Sequence, residues 1–122
     1  MAENETTKIV RLTRHDVQPE QLSELKRLFG DDVVITTINV TMPTRTSEFV
    51  SAFDHLTADA DVVEAVLPLT LLSAAIKFSK FAARGGKIIR AVMNRRVDGN
   101  NVSFEFDHYE RIIDVYVVTE AL

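Results

Sequence analysis

The sequence contains no cysteine. That excludes a disulfide scaffold, a thiol nucleophile and cysteine-ligated zinc. It contains no G-x-G-x-x-G and no Walker-type Gly-Lys-Thr/Ser, so neither a standard dinucleotide site nor a standard ATP site is supported. A G-x-S-x-G elbow is missing as well, which removes the main signature of an α/β-hydrolase. His15, His55 and His108 are scattered without metal-ligand spacing, so no metal and no cofactor is expected. No apolar run approaches the ~20 residues of a membrane span. Met1 to Thr7 is polar and acidic, lacks the apolar core of a signal peptide, and reads as a frayed terminus. These absences together predict a cytoplasmic protein that engages no membrane.

Charge of one sign is also locally absent. The net charge of −4 argues against non-specific binding to duplex nucleic acid. Yet no acid lies between Glu64 and Asp98, while that span holds Lys77, Lys80, Arg84, Lys87, Arg90, Arg95 and Arg96, half of the 14 lysines and arginines. A basic region on an acidic chain suits a compact anion better than a long polyanion. For Lys77, Lys80 and Arg84 the helical spacing makes a solvated helix face the plainer reading.

What remains is ordinary globular material. The 122 residues, 46% hydrophobic and 26% charged, fit one domain spanning 1–122 that can build its own core. Lys8 to Leu12 is a nearly continuous apolar run, which predicts a central strand. A helix opens near Pro19, buries Leu22, Leu25, Leu28 and Phe29, and ends at Gly30. Val33 to Val40 is a β-branched strand, and Phe49, Val50, Phe53 and Leu56 mark one face of a second helix. Val62 to Leu67 is a third strand, Thr70 an N-cap, and the helix after it runs to Gly85 and Gly86 with Phe78 and Phe81 on its packing face. Lys87 to Met93 is a fourth strand. Asp98 to Asn101 is a turn, Val102 to Asp107 alternates with period two, and Ile112 to Val118 reads as a last strand. The pattern predicts an α/β fold: a three-layer, Rossmann-like sandwich with a parallel core sheet of four strands, three helices, and antiparallel C-terminal strands.

In such sheets ligands bind beyond the carboxyl ends of the strands, at the switch point where neighbouring connections diverge. If the first and third strands are neighbours, three strand ends converge: Thr13, Arg14 and His15; Pro68, Leu69 and Thr70; Asn94, Arg95 and Arg96. A helix start there favours an anion through its free N–H groups and dipole. Arg14 offers a planar fork to phosphate, though an ion pair with Asp16 would occupy it equally well. His15 has the titration range of a general acid or base, and a helix-start hydrogen bond is its alternative role. Thr70 can donate to a phosphate while capping its helix. Strand alternation sends only one of Arg95 and Arg96 towards the pocket. His108 and Arg111, in a junction between late strands, read first as ordinary turn polarity.

The run from Leu12 through Thr13, Arg14, His15, Asp16, Val17, Gln18, Pro19 and Glu20 to Gln21, with Leu25, Lys26, Phe29 and Gly30 following, resembles small CRISPR-associated single-domain proteins related to CRISPR-associated Rossmann-fold (CARF) domains. Phe106 to Arg111 is similar to a C-terminal element of some of them. The resemblance implies a homodimer that binds cyclic oligoadenylate, a second messenger of type III CRISPR defence. It also implies either sequestration or metal-independent cleavage of that ring, with His15 as the candidate acid or base. Two other expectations stand beside it: a protein-interaction module using the sheet edge near Val102 to Val118, and an enzyme acting on another small phosphorylated metabolite.

Overall fold

Ile9, Val10 and Leu12 carry the first strand into the middle of a sheet. In the computed structural model, which describes residues 6–122, β1 (Thr7–Leu12) pairs in parallel with a neighbour on each side. Residues 1–5 of the expected frayed terminus lie outside the described residues, and Thr7 already opens the strand. One neighbour is β2 (Val33–Ile38) and the other is β3 (Val62–Ala65). On the far side of β3 lies β4 (Lys87–Asp98), again parallel, and β5 (Asn101–Arg111) pairs antiparallel with β4. The order β2-β1-β3-β4-β5 is therefore a five-stranded mixed sheet, mostly parallel. It places the first and third strands side by side, with their connections leaving in opposite directions.

Alternation splits the sheet's side chains between two faces. On one, Ile9, Val62 and Ile89 pack with Leu25 of α1 (Pro19–Phe29). On the other, Leu12, Val63, Ala65 and Ile88 pack with Phe49 and Phe53 of α2 (Thr46–Leu56) and with Leu71, Leu72 and Ala75 of α3 (Leu69–Phe78). All four residues of β3 are buried, as expected of a parallel strand covered on both sides.

Three expectations need correction. The long third helix is broken at Ser79, whose extended ψ of 150° ends α3 and whose hydroxyl accepts from the Ala82 N–H to start α4 (Lys80–Ala83). Asp54 accepts the Lys80 N–H at 2.8 Å, so α2 holds the break in place. The break turns Phe81 into the core, edge-on to Phe53 at 6.0 Å, and leaves Phe78 64% exposed. A Cβ on Gly86 would overlap the Phe81 ring, which explains the small residue there.

The second correction concerns Asn94, Arg95 and Arg96. They do not follow the fourth strand but lie within it, because β4 runs on to Asp98 as one arm of a long hairpin with Gly99 at its turn (φ 61°). Cross-strand polar pairs make that possible: Asn94 donates to Asp107 at 3.1 Å and Arg96 to Glu105 at 3.0 Å.

Third, one strand replaces the two expected at the C-terminus. β5 passes straight through His108 to Arg111 with a bulge at Asp107. Its ladder then runs out, because Arg111 already faces Ile89 near the start of β4. Ile112 still donates its N–H to the Ile88 carbonyl at 2.8 Å, but β4 begins at Lys87, so the chain after it, through Val118, has no strand left to pair with. It leaves the sheet as a tail without regular secondary structure that packs Ile112 and Val115 on the α3 side of the core, where Ser73 donates to the Val115 carbonyl at 3.2 Å. Among the described residues no helix is long and apolar enough to cross a membrane.

Candidate functional site

β1 and β3 end side by side at Leu12 and Ala65, and the loops that follow diverge to α1 and α3. A cleft of about 570 Å³ opens at this point. Thr13, His15 and Asp16 border it from the β1–α1 loop, and Val66, Leu67 and Leu69 border it from the β3–α3 connection.

Its floor is a buried polar network. Arg11 and Glu64 are direct neighbours across the β1–β3 ladder, 2% and 3% exposed. The Arg11 Nε donates to Glu64 Oε1 at 3.0 Å, and its Nη1 donates to Thr37 Oγ1 at 3.1 Å and to the His15 carbonyl at 2.8 Å. Tyr109 on β5 donates its hydroxyl to Glu64 Oε1 at 2.7 Å. Burial first, and then the Glu64 carboxylate, push the Tyr109 phenol well above the usual tyrosine range. No buried side-chain nitrogen or oxygen among the described residues lacks a partner. The network thus ties four strands and the His15 loop together in one hydrogen-bonded row, and a guanidinium with that many fixed partners positions the loop rather than moving to a ligand.

The walls differ in character. At the start of α3, Pro68 is the N-cap and makes no side-chain cap, and the first turn carries no acid. Its terminal N–H groups and dipole favour an anion. Arg90 lines the cleft on the same side and is exposed, paired with Glu110 at 2.8 Å. Across the cleft stand Gln18 and Gln21 of the α1 start, where Gln21 Oε1 accepts the Gln18 N–H at 2.9 Å, together with Met93 and Phe104 of the hairpin. The cleft therefore offers a cation and a helix start among apolar side chains on one side, and two amides with Met93 and Phe104 on the other.

The residues singled out by sequence divide accordingly. Thr13, His15 and Leu69 line the cleft. Thr13 Oγ1 accepts from the His15 N–H at 3.3 Å, so it shapes the loop as well. Arg14 is exposed and does not line the cleft; it borders an adjoining hollow of about 350 Å³ with Asn39 and Val40, and that hollow shares Thr13, His15 and Val66 with the cleft. Pro68 occupies the N-cap position of α3 without a side-chain bond, and Thr70 is the second helical residue rather than the cap; neither lines the cleft. Asn94, Arg95 and Arg96 lie out along the hairpin and do not line it either. Arg84 donates to the Thr57 and Ala60 carbonyls at 2.7 and 2.8 Å and clamps the end of α2, a structural role. Sequence reasoning missed Arg11, Glu64, Arg90, Phe104 and the part played by Tyr109. A signal existed for two of them: one Arg and one Glu, each alone inside a central apolar run.

A second polar group lies on the hairpin. The bulge lets the adjacent Asp107 and His108 side chains meet, and Asp107 holds His108 above the usual histidine range, with Glu110 adding to the effect. His108 in turn lowers Asp107, and Arg90 lowers Glu110. All of these groups are exposed. Among the described residues no three His, Asp or Glu side chains are arranged to hold a metal ion. No protein-family model matches the chain, and neither a curated protein nor a solved structure does so.

Proposed function

We propose that the chain is a CARF-like module that binds cyclic oligoadenylate in the cleft between β1 and β3. One observation carries the reading. The two stretches that resemble the CRISPR-associated proteins are far apart in sequence, yet both reach the buried Arg11–Glu64 pair under the cleft: the His15 carbonyl accepts from Arg11, and Tyr109, which does not itself line the cleft, donates to Arg11's partner Glu64. The cation and uncapped helix start suit phosphate, and the wall with Met93 and Phe104 suits a base. In this reading the sheet and its helices form a three-layer, Rossmann-like sandwich, and the protein works in the cytoplasm. A homodimer would supply a twofold pocket that matches the symmetry of a cyclic ligand.

The ligand is sequestered or opened. In the second case a ribose 2′-hydroxyl attacks the neighbouring phosphorus, the 5′-oxygen leaves with a proton, and a 2′,3′-cyclic phosphate remains. The protein aligns the hydroxyl and places positive charge near the phosphorane. His15, exposed at the cleft, is the candidate acid or base. Calorimetric titration with cyclic tetra- and hexa-adenylate, AMP and inorganic phosphate tests binding, and a single-turnover assay in EDTA tests cleavage. Tight binding of a cyclic adenylate over AMP supports the reading. Binding of phosphate or AMP alone points to another phosphorylated metabolite. Light scattering that shows only monomer with ligand bound removes the twofold pocket. If nothing binds, an interaction module becomes the better account, and the exposed Ile113, Tyr116 and Val118 on the unpaired tail favour it.

A further inference from the structure

The β4–β5 hairpin outruns the rest of the sheet. The last β3 residue paired to β4 faces Ile89, yet β4 continues to Asp98. The projecting part stands beside the cleft. In an unbroken strand Phe104 and Phe106 would face away from Tyr109, because their positions differ by odd numbers. The bulge changes this. Val92 faces His108 and Met93 faces Phe106, so Asp107 is the extra residue and the alternation is reset. Tyr109, Phe106 and Phe104 then share one face and run outward from the network on the cleft floor. Phe106 is used, tilted against Tyr109 at 5.0 Å. Phe104 is not: it lines the cleft, is 61% exposed, and makes no ring–ring contact among the described residues. Folding gains little from a large apolar ring left in water at the rim of a cavity.

The geometry points to Phe104 as a stacking platform for a purine base of the bound ligand, with Met93 beside it and the phosphate towards Arg90 and the α3 start. The assignment rests on the nucleotide reading above and adds the residue that recognises the base. Stacking a base on an aromatic side chain is worth about 1–3 kcal/mol by alanine substitution, or roughly 5- to 150-fold in affinity.

The chain has no tryptophan, so Phe104→Trp installs a sole tryptophan at this position, whose emission can be excited apart from the two tyrosines. The proposal expects Phe104→Ala to melt like the parent and to bind AMP and cyclic tetra-adenylate roughly 5- to 150-fold more weakly. It expects the Phe104→Trp emission to be quenched by AMP and unchanged by ribose 5-phosphate. If the parent binds adenylates and Phe104→Ala binds them equally well, stacking is wrong while the nucleotide reading stands. If the parent binds no adenylate at all, the nucleotide reading fails and takes stacking with it. Should Phe104→Ala turn a dimeric parent into a monomer while Phe104→Trp emission ignores AMP, the ring covers a second copy of the chain and the proposal is overturned.

Discussion

Replacing Arg11 by methionine should damage the protein far more than losing an ordinary strand residue. Methionine keeps much of the apolar stem but removes the guanidinium that pairs Glu64 at 3.0 Å. Glu64 is 3% exposed, so its carboxylate would be left with Tyr109 as its named donor. Breaking one side of a buried pair typically costs about 3–5 kcal/mol, a large part of the 5–15 kcal/mol that holds a domain together. With a urea slope of about 1–3 kcal/mol per molar, the unfolding midpoint of Arg11→Met should fall by at least ~1 M. The companion variant, Arg11→Met with Glu64→Leu, removes both charges and should recover most of that loss, stopping short of the parent because the Tyr109 hydroxyl and the His15 carbonyl lose their partners. On the proposed reading it should not recover binding of cyclic adenylate, because the His15 carbonyl still lacks the donor that fixes its loop. Equilibrium urea unfolding of the parent, the single variants and the pair measures all of this. A cost below ~1 kcal/mol for Arg11→Met, or a double variant as unstable as the single one, would refute the reasoning.

Tyr109 predicts an alkaline effect. Its folded pKa lies above the unfolded value near 10, so its contribution is complete below about pH 10 and is lost as pH rises towards the folded value, by at most about 1.4 kcal/mol per pH unit and less because the ring is only part-buried. Tyr109→Phe should flatten that loss in unfolding curves at high pH, and equal slopes for the two proteins would contradict it. His108 predicts an effect near neutrality. Its raised pKa means that its interaction with Asp107 is complete below about pH 6.5 and fades as pH rises through the folded value. Ring-proton NMR should show His108 titrating above a free histidine in the parent and lower in Asp107→Asn; an unmoved titration would remove the contact.

The parallel part of the fold was legible because β1 and β3 are central, mostly buried and stand out as apolar runs, while the half-exposed edge strand β2 is marked by its β-branched residues. The Asp98–Gly99 turn was legible because a residue at φ 61° is readily a glycine. The break at Ser79 was hidden, since it depends on Asp54 in another helix. Asn94, Arg95 and Arg96 read as a loop because their strand partners, Glu105, Phe104 and Ser103, become visible only once the hairpin register is known. The same holds for the site. Thr13, His15 and Leu69 follow from topology, and the strand ends do converge at β1 and β3. The third expected contribution fails because the fourth strand does not end where its apolar run ends. Arg90 replaces it from inside the sheet edge. The face on which Phe104 lies cannot be read from alternation, because the bulge at Asp107 resets it.

The central claim is that the cleft binds a cyclic oligoadenylate through the Arg90 side of its wall. Calorimetric titration of cyclic tetra-adenylate and cyclic hexa-adenylate into the parent and Arg90→Ala tests it most directly. Arg90 is exposed and outside the core, so the variant should keep the parent's melting temperature. A charge-assisted contact to phosphate is worth about 1.5–3 kcal/mol, so affinity should fall roughly ten- to a hundredfold. Saturable binding by the parent, weakened by that factor in Arg90→Ala, is the predicted result. No binding of either ring by the parent, or equal binding by both proteins, would contradict the account.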